Sequence, residues 1–259
     1  WTYGLDGALL GVPREDTFAA LDRDALGLVE VAAERRHGFL WACLEGPVDV
    51  RAHLGPALDD DLAGFGLAEH ARVGSREHDV RANWKLLMDA FAEGYHVRSL
   101  HRDSLARYFL EVSLTDDLNP HVRHVGARAS FRDAEVPDIR RDTTPFYNLF
   151  PNSILVLHPN SISWVTLQPE GVGRTRFVHR MLARPGDADA AALERSFAFI
   201  DEQVFAREDL ATAESIQRAL ATGANDHVLL GAQEEGMRLF HRNRDRAIAR
   251  ELETSRESG

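Results

Sequence analysis

The sequence predicts an α+β protein in which an antiparallel sheet packs against helices. The segment Ser161–Leu167 alternates polar and apolar residues, the pattern of a strand with one buried face. Apolar residues of helical spacing follow later in the chain, at intervals of four, three and four: Leu193, Phe197, Ile200 and Val204. Alternating runs come before a long amphipathic helix, and this order favours an α+β domain over an all-helical one.

The first fifty residues predict small β elements. Residues 2–11 are expected to form a hairpin that turns at Leu5-Asp6-Gly7. Short apolar runs at 28–31 and 39–44 predict two further strands, joined by a charged turn at 34–37. Residues 47–66 are acidic and contain several glycines and prolines, which indicates a crossover into a second domain. We therefore place a domain boundary near residue 50, between domains 1–49 and 50–259.

The second domain is predicted to begin with a strand at Ala71-Arg72-Val73 and a helix over 81–96. A turn is predicted at 168–171, between the last two strands. The remaining elements are four alternating runs and two closing helices: 122–131, 146–158, 161–169, 174–183, 189–222 and 230–243. A helix wrapped by an antiparallel sheet is the helix-grip architecture, also called START/Bet v1-like.

Composition restricts the class of protein. At 259 residues and 44% apolar content, the chain is long enough to bury a substantial core. No apolar run reaches the length of a membrane span, and no signal segment opens the chain. One cysteine excludes a disulfide framework, and a net charge of −11 argues against nucleic acid as a partner. Lys85 is the only lysine among many arginines, so we expect a cytoplasmic enzyme from a GC-rich bacterium.

Glu93, His96 and His101 place an acid and two imidazoles within nine residues. With a carboxylate from elsewhere, two histidines make a metal site with open positions for oxygen or substrate. His96 and His101 are five apart, so both reach one metal only if the predicted helix ends or distorts between them. The chain has twelve histidines, and neighbouring pairs more often have structural roles, so spacing alone leaves metal binding open.

A longer motif surrounds these residues. Asn83-Trp84-Lys85, followed by Glu93, Tyr95, His96 and His101, resembles the catalytic domain of Rieske non-haem iron oxygenases. These are the alpha subunits of aromatic-ring-hydroxylating dioxygenases and their monooxygenase relatives. The resemblance implies that His96 and His101 bind Fe(II). It also implies that Glu93, with Tyr95 in the same catalytic motif, bridges toward the neighbouring subunit's iron–sulfur cluster.

The third ligand is implied by a later resemblance. Glu208 and Asp209, with Glu214 and Gln217 beyond them, resemble the family's Glu-Asp segment in which the aspartate binds iron. Asp209 is therefore the expected carboxylate, with Glu208 as the alternative. An isolated acidic pair of this kind can equally be a solvated part of a helix surface. The family often has Glu-Asn where this chain has Asp89-Ala90, which keeps an acid and loses an amide.

The family's 2Fe-2S cluster needs two cysteines and two histidines. Cys43 is the single cysteine and cannot hold such a cluster, so we expect it to be a small buried apolar side chain. Trp1-Thr2-Tyr3-Gly4 resembles the segment that follows the second pair of cluster ligands. We therefore expect residues 1–49 to be the C-terminal remnant of a Rieske β domain, with the cluster present in the full-length protein.

The resemblance implies an oxygenase that uses mononuclear Fe(II) and O₂ on an apolar, aromatic small molecule. Monohydroxylation, cis-dihydroxylation and oxidative demethylation all remain open. A ferredoxin or reductase would supply electrons, and the bridge between subunits implies a head-to-tail homotrimer. Residues 146–155 are expected to line the substrate cavity, and no arginine stands out as a carboxylate clamp. His158, His179 and His241 are expected to have structural roles.

Two other classes of function remain open from the sequence. The helix-grip architecture also serves non-enzymatic binding of apolar ligands. Alternatively, the same three residues could hold zinc and activate water for hydrolysis. The metal content separates these possibilities, since iron supports an oxygenase, zinc a hydrolase and no metal a binding module.

Overall fold

The computed structural model describes residues 1–44, 46–225 and 227–257, with side chains as far as residue 253. The chain divides into two compact units, Trp1–Ala68 and Glu69–Gly259. This division lies beyond the predicted boundary near residue 50. That residues 1–49 are the remnant of an iron–sulfur domain stays a prediction.

Where the structure describes it, the first unit contains two hairpins, one α-helix and short 3-10 helices at Glu15–Thr17 and Asp24–Leu26. The hairpin predicted at 2–11 is confirmed, with strands β1 (Thr2–Tyr3) and β2 (Leu9–Gly11) paired antiparallel. The second hairpin joins β3 (Ala32–Arg36) to β4 (Phe39–Cys43). The strand predicted at 28–31 is wrong, and so is the turn at 34–37, because β3 occupies most of that turn. The chain reverses at His37-Gly38, where both φ angles are positive (52° and 81°), as in a two-residue hairpin loop.

Helix α1 (Val50–Gly64) occupies most of the segment predicted as a crossover. It begins there because the Asp49 side chain accepts a hydrogen bond from the Ala52 N–H at 2.9 Å. Gly55 has a positive φ of 73° ahead of Pro56, and the helix is kinked at that point. Composition alone suggested a loop because glycine, proline and aspartate are poor helix residues.

The second unit is built on a seven-stranded antiparallel sheet, and the α+β prediction is confirmed. The order across the sheet is β5-β11-β10-β9-β8-β7-β6. The strands are β5 (Ala71–Val80), β6 (Phe109–Leu118), β7 (His121–Arg128), β8 (Thr143–Leu149), β9 (Ser153–Leu157), β10 (Ile162–Gly171) and β11 (Arg174–Ala183).

Helices pack against this sheet, and the long helix predicted at 189–222 is confirmed. It runs without a break through α4 (Ala190–Ala198), a π-helical segment (Phe199–Leu210) and α5 (Ala211–Leu220). The other helices are α2 (Trp84–Ala90), α3 (Ile139–Asp142) and α6 (Glu235–Glu257), so the closing helix begins five residues later than predicted. Among the described residues, no helix is both long enough and apolar enough to cross a bilayer.

The core of the second unit lies between the sheet and the helices. Phe177 on β11 is fully buried, and its ring meets that of Phe205, from the π-helical segment, edge-on at 5.5 Å. Phe240 of α6 packs edge-on against Trp84 at 5.9 Å. Val165 and Leu167 of β10 face this core, on the same side of the strand as the buried Ser163. The predicted alternation is therefore wrong in phase, because the apolar residues Ile162 and Trp164 lie on the opposite face.

Three local predictions differ from the structure. The predicted run 146–158 is two strands, β8 and β9, separated by a turn at 150–152. The turn predicted at 168–171 falls instead at 172–173, because β10 continues to Gly171. Strand β6 was not predicted, since its apolar residues Val112 and Leu114 are 61% and 67% exposed and give no buried alternation.

Candidate metal centre

The predicted ligand helix ends before its ligands. Asn83 caps α2 by accepting the Lys85 N–H at 3.0 Å, and the helix stops at Ala90. His96 lies in a 3-10 turn (Tyr95–Arg98), and His101 follows in irregular backbone. The prediction of a helix over 81–96 is therefore wrong at its C-terminal end. With the helix ended, the two imidazoles approach to 5.0 Å between ring centroids.

The structure brings the two histidines together with Asp209, which lies near the end of the π-helical segment. One donor atom from each of His96, His101 and Asp209 lies within 4.8 Å of the other two. Asp209 Oδ1 is 3.1 Å from His101 Nε2 and 3.8 Å from His96 Nε2. His101 and Asp209 are buried, and His96 is half-buried.

Carboxylates hold the other nitrogen of each imidazole. His96 Nδ1 hydrogen-bonds to Glu93 Oε1, and Glu93 Oε2 accepts the backbone N–H of His96 at 3.0 Å. His101 Nδ1 lies 2.6 Å from Glu208 Oε2. A carboxylate on Nδ1 fixes the proton there, so that the Nε2 lone pair faces the shared centre.

Glu208 and Asp209 reach opposite nitrogens of the same ring, Nδ1 and Nε2 of His101. The alternative that Glu208 supplies the third ligand has no geometric support, because its carboxylate lies on the far side of that ring. Ser104 Oγ and Gln203 Nε2 donate to Glu208 at 2.7 and 2.9 Å and hold it there. Neither acid is a solvated surface residue, since Asp209 is 6% exposed.

The residues present fit a divalent transition metal. Asp209 Oδ1 is buried and has no hydrogen-bond partner, although it lies close to His101, because the two groups are not aligned for a hydrogen bond. A buried carboxylate oxygen without a partner is costly unless a cation takes that place. Two imidazole nitrogens and one carboxylate oxygen form the donor set of non-haem Fe(II) oxygenases.

The electrostatics of His101 agree with a cation at this point. Burial opposes protonation of the ring, but the Asp209 and Glu208 carboxylates outweigh burial and raise the pKa of His101. Burial raises the pKa of Glu208, but the hydrogen bonds that it accepts from His101, Ser104 and Gln203 outweigh burial and lower it. A metal ion at Nε2 would replace that proton and meet the same negative potential.

Glu93 and Tyr95 differ in their surroundings. The Glu93 side chain is 9% exposed and bonded to His96. Tyr95 is 68% exposed and lines the cavity. The predicted catalytic role of Tyr95 therefore stays a prediction without geometric support.

A cavity of about 1020 Å³ opens beside the candidate metal centre. It is larger than most ligand sites, which fall between roughly 300 and 1,000 Å³. Its walls are aromatic and aliphatic on one part and polar on another, and include Phe91, Phe109, Phe146, Phe205, Arg128 and His158. Within residues 146–155, which were expected to line it, Phe146 does so, while Tyr147, Ile154 and Leu155 are sheet core.

Sequence reasoning missed several residues around the site. Ser104 and Gln203 carried no motif, and only their bonds to Glu208 reveal them. His124 and Arg128 lie on a strand that was predicted, and their four-residue separation puts both on one face. That signal was present, but the sequence did not show which face of the strand lines a cavity.

The chain matches known proteins over most of its length. The family described as ring hydroxylating alpha subunit (catalytic domain) matches residues 67–250. A putrescine 2-hydroxylase of Ralstonia nicotianae is 30% identical over 201 residues, covering 69% of this chain and 50% of the relative. A glycine betaine monooxygenase oxygenase subunit of Chromohalobacter salexigens is 33% identical over 142 residues, which is 53% of this chain and 31% of that protein.

Solved structures agree on the fold. The quaternary ammonium Rieske monooxygenase CntA, in complex with an inhibitor, superposes with a TM-score of 0.77 at 19% identity, covering 93% of this chain and 68% of that chain. Naphthalene 1,2-dioxygenase from Rhodococcus sp., bound to indole, gives 0.70 at 17% identity, covering 94% and 72%. The chain spans about half the length of the putrescine hydroxylases that it matches. On the family match and the shared fold, the chain belongs to the ring-hydroxylating alpha-subunit family and contains its catalytic domain.

Proposed function

We propose that this chain is the catalytic part of an oxygenase that uses mononuclear Fe(II) and O₂. It would hydroxylate, or oxidatively demethylate, a small organic molecule bound in the cavity. The observation that carries the proposal is the meeting of His96, His101 and Asp209 at the wall of that cavity. Fe(II) bound there would supply the one-electron and dioxygen chemistry that no side chain provides.

The chain's own residues would hold the metal and orient the side chains that bind it. His96 and His101 donate nitrogen lone pairs, and Asp209 supplies a negative charge that favours a divalent cation. Glu208 fixes the ring of His101. The apolar rings of Phe91 and Phe205 beside the site limit the water around bound substrate.

Glu93 is the proposed entry point for electrons. Its carboxylate is bonded to a candidate ligand, His96, and a hydrogen-bonded path of this kind can couple the site to a donor outside this chain. We propose that the donor is the 2Fe-2S cluster of a neighbouring subunit in a homotrimer, reduced in turn by a ferredoxin or reductase. The family resemblance supports this arrangement.

The names of the relatives include substrates that are not the aromatic compounds expected from the sequence. Relatives are named for putrescine, glycine betaine and carnitine, while a structural neighbour is named for naphthalene. The cavity has both apolar and charged walls, so it can accommodate an aliphatic polar compound as well as an aromatic one. We therefore propose a small organic substrate, aliphatic or aromatic.

Metal analysis of single-residue variants tests the proposal. We expect the chain to bind about one Fe(II) under anaerobic conditions. His96→Ala, His101→Ala and Asp209→Ala should each retain less iron, because the proposed site has these three protein ligands and each variant removes one of them. His227→Ala, which changes an exposed histidine outside the site, is the matched control and should keep its iron.

Two results would contradict the proposal. If the Asp209→Ala variant retained as much iron as the unaltered chain, Asp209 would not be the third ligand. Specific binding of zinc with exclusion of iron would favour hydrolytic chemistry instead. Circular dichroism of each variant separates loss of metal from loss of fold.

A further inference from the structure

We infer that the cavity binds its substrate through a carboxylate group and that Arg128 holds this group. The inference rests on the proposed function, because it names the substrate class of the same site. It depends on an arginine that lines the cavity without an acidic partner.

Arg128 lies at the end of β7, and its side chain is half-buried. Its Nη1 donates to Thr144 Oγ1 at 3.2 Å, and its guanidinium lies over the rings of Phe109 and Tyr108 at 5.5 and 6.0 Å. Among the residues that the structure describes, no carboxylate forms an ion pair with Arg128. A guanidinium has five N–H donors, so Arg128 keeps donors available toward the cavity.

The carboxylates around the cavity are already engaged. Among its described lining residues, each acid has a positive group, a histidine or the candidate metal position beside it: Glu93 with His96, Glu111 with Arg98, Glu235 with Arg238, and Asp209 with the two histidines. Arg128 is therefore not neutralised by the wall. Placing a cation out of water without a partner is costly, and an anionic ligand would remove that cost.

His158, which also lines the cavity, is a neutral neighbour of Arg128. Burial lowers the pKa of His158 to about 3, and the positive charges of Arg128 and Arg140 act in the same direction. Burial also lowers the pKa of Arg128, because it removes water from the charged guanidinium. A positive, partly desolvated region attracts an anion.

The guanidinium is also positioned for two-point recognition. Thr144 and two aromatic faces restrain it, so little side-chain entropy is lost when a ligand binds. A planar guanidinium matches the two oxygens of a carboxylate. Arg128 is four residues from His124 on the same face of β7, a separation of about 13 Å along the strand. The cavity therefore has room for a carbon skeleton beyond the bound carboxylate.

Matched acid and amide pairs test the inference by binding alone. The probes are 3-phenylpropionate with 3-phenylpropionamide, and 4-methylvalerate with its amide, titrated calorimetrically into the metal-free chain. Removing metal prevents a carboxylate from binding at iron instead. At least one acid should bind about 10- to 100-fold more tightly than its amide, the range for charge-assisted hydrogen bonds.

Variants assign that preference to one residue. Arg128→Met should bring the acid and amide of a pair to within about 2-fold, and Arg128→Lys should keep part of the preference because it keeps the charge but not the planar fork. The control is Arg98→Met, which removes a cavity arginine that is 67% exposed and already paired with Glu111. Arg128→Gln serves if the methionine variant does not fold, as judged by circular dichroism.

The inference is overturned if no acid of either pair binds saturably, if acid and amide bind equally, or if Arg128→Met keeps the preference. A preference for putrescine over every acid would overturn it too, because a diamine would meet Arg128 with like charge. None of these results requires metal, so the proposed function can stand when this inference fails. Conversely, failure of iron to bind at the three ligands leaves the acid preference unaffected.

Discussion

Glu208 faces away from the candidate metal centre, yet its carboxylate fixes the ring of a candidate ligand. It accepts from His101 Nδ1 at 2.6 Å and is itself held by Ser104 and Gln203. A carboxylate in this position orients the imidazole and raises its basicity. The motif on its own left Glu208 and Asp209 as alternatives, because adjacent acids have the same chemistry and only their directions differ.

We expect Glu208→Ala to weaken Fe(II) binding by about 10- to 100-fold, the usual effect of removing the partner of a metal-bound histidine. Competition with a chelator of known affinity measures the change. Glu202→Ala is the matched control, because Glu202 is a 54% exposed acid of the same π-helical segment and bonds to Arg76. Complete loss of iron in Glu208→Ala would instead make Glu208 a ligand, and unchanged affinity would show that His101 needs no such support.

A second histidine–aspartate pair lies in the same unit. His179 Nδ1 is 2.9 Å from Asp201 Oδ1, and its Nε2 is 3.0 Å from Ser163 Oγ. Burial lowers the pKa of His179 despite the aspartate, so a neutral ring donates to Asp201 and accepts from Ser163. The arrangement of aspartate, histidine and serine resembles a nucleophilic triad. All three residues are buried, however, so a substrate could not reach the Ser163 hydroxyl. The arrangement instead bonds β10 and β11 to the π-helical segment.

At the scale of elements, the sequence predicted best where periodicity is strong and a single face is buried. The long helix over 190–220 and the strand β11 have this property. The end of α2 was missed because the residues after Ala90 suit a helix, and it is the turn at Tyr95–Arg98 that orients His96. The π-helical winding of 199–210 carries no sequence signal of its own, although it places Asp209 at the site.

Helix α2 offers a test of the element that leads to the ligands. Asn83 caps this helix and also donates from Nδ2 to the Val172 carbonyl at 2.6 Å. The asparagine of the motif therefore has a structural role. We expect Asn83→Ala to lower the free energy of unfolding by about 1 kcal/mol, within a range of about 0.5–2. Urea denaturation followed by tryptophan fluorescence measures this loss.

The control for Asn83 is Asp103→Ala, which removes an 87% exposed side chain of the same unit. It should stay within about 0.5 kcal/mol of the unaltered chain. If the free energy of unfolding of Asn83→Ala instead falls by less than about 0.3 kcal/mol more than that of the control, tertiary packing rather than the cap holds the start of α2.

At the scale of the whole molecule, buried neutral histidines tie stability to pH. His124 is 2% exposed, stacks on Phe146 at 4.5 Å between centroids, and bonds to Asn148 and Thr115. Burial lowers its pKa to about 4, although Asn148 and the Glu93 and Asp116 carboxylates pull in the opposite direction. The sequence could not predict the burial of His124, because a histidine in an alternating strand occurs on the buried face as well as on the exposed face.

The sign of the effect follows from proton binding. An unfolded histidine has a pKa near 6.5, above the folded value, so between these limits the unfolded chain binds more protons and folding weakens as pH falls. One such group contributes about 1.4 kcal/mol of lost stability between pH 7.5 and pH 5.5. Because the folded pKa lies well below 5.5, this figure does not depend on its exact value.

The prediction compares two chains, so that other titrating groups cancel. We expect the metal-free protein to lose about 1.4 kcal/mol more than its His124→Asn variant between pH 7.5 and pH 5.5, from urea unfolding at both values. His227→Ala, which changes an exposed histidine, is the control for the loss of a histidine in itself. Equal pH slopes for the unaltered chain and His124→Asn would mean that His124 takes up its proton in the folded state. The polar contacts and carboxylates around it would then outweigh its burial.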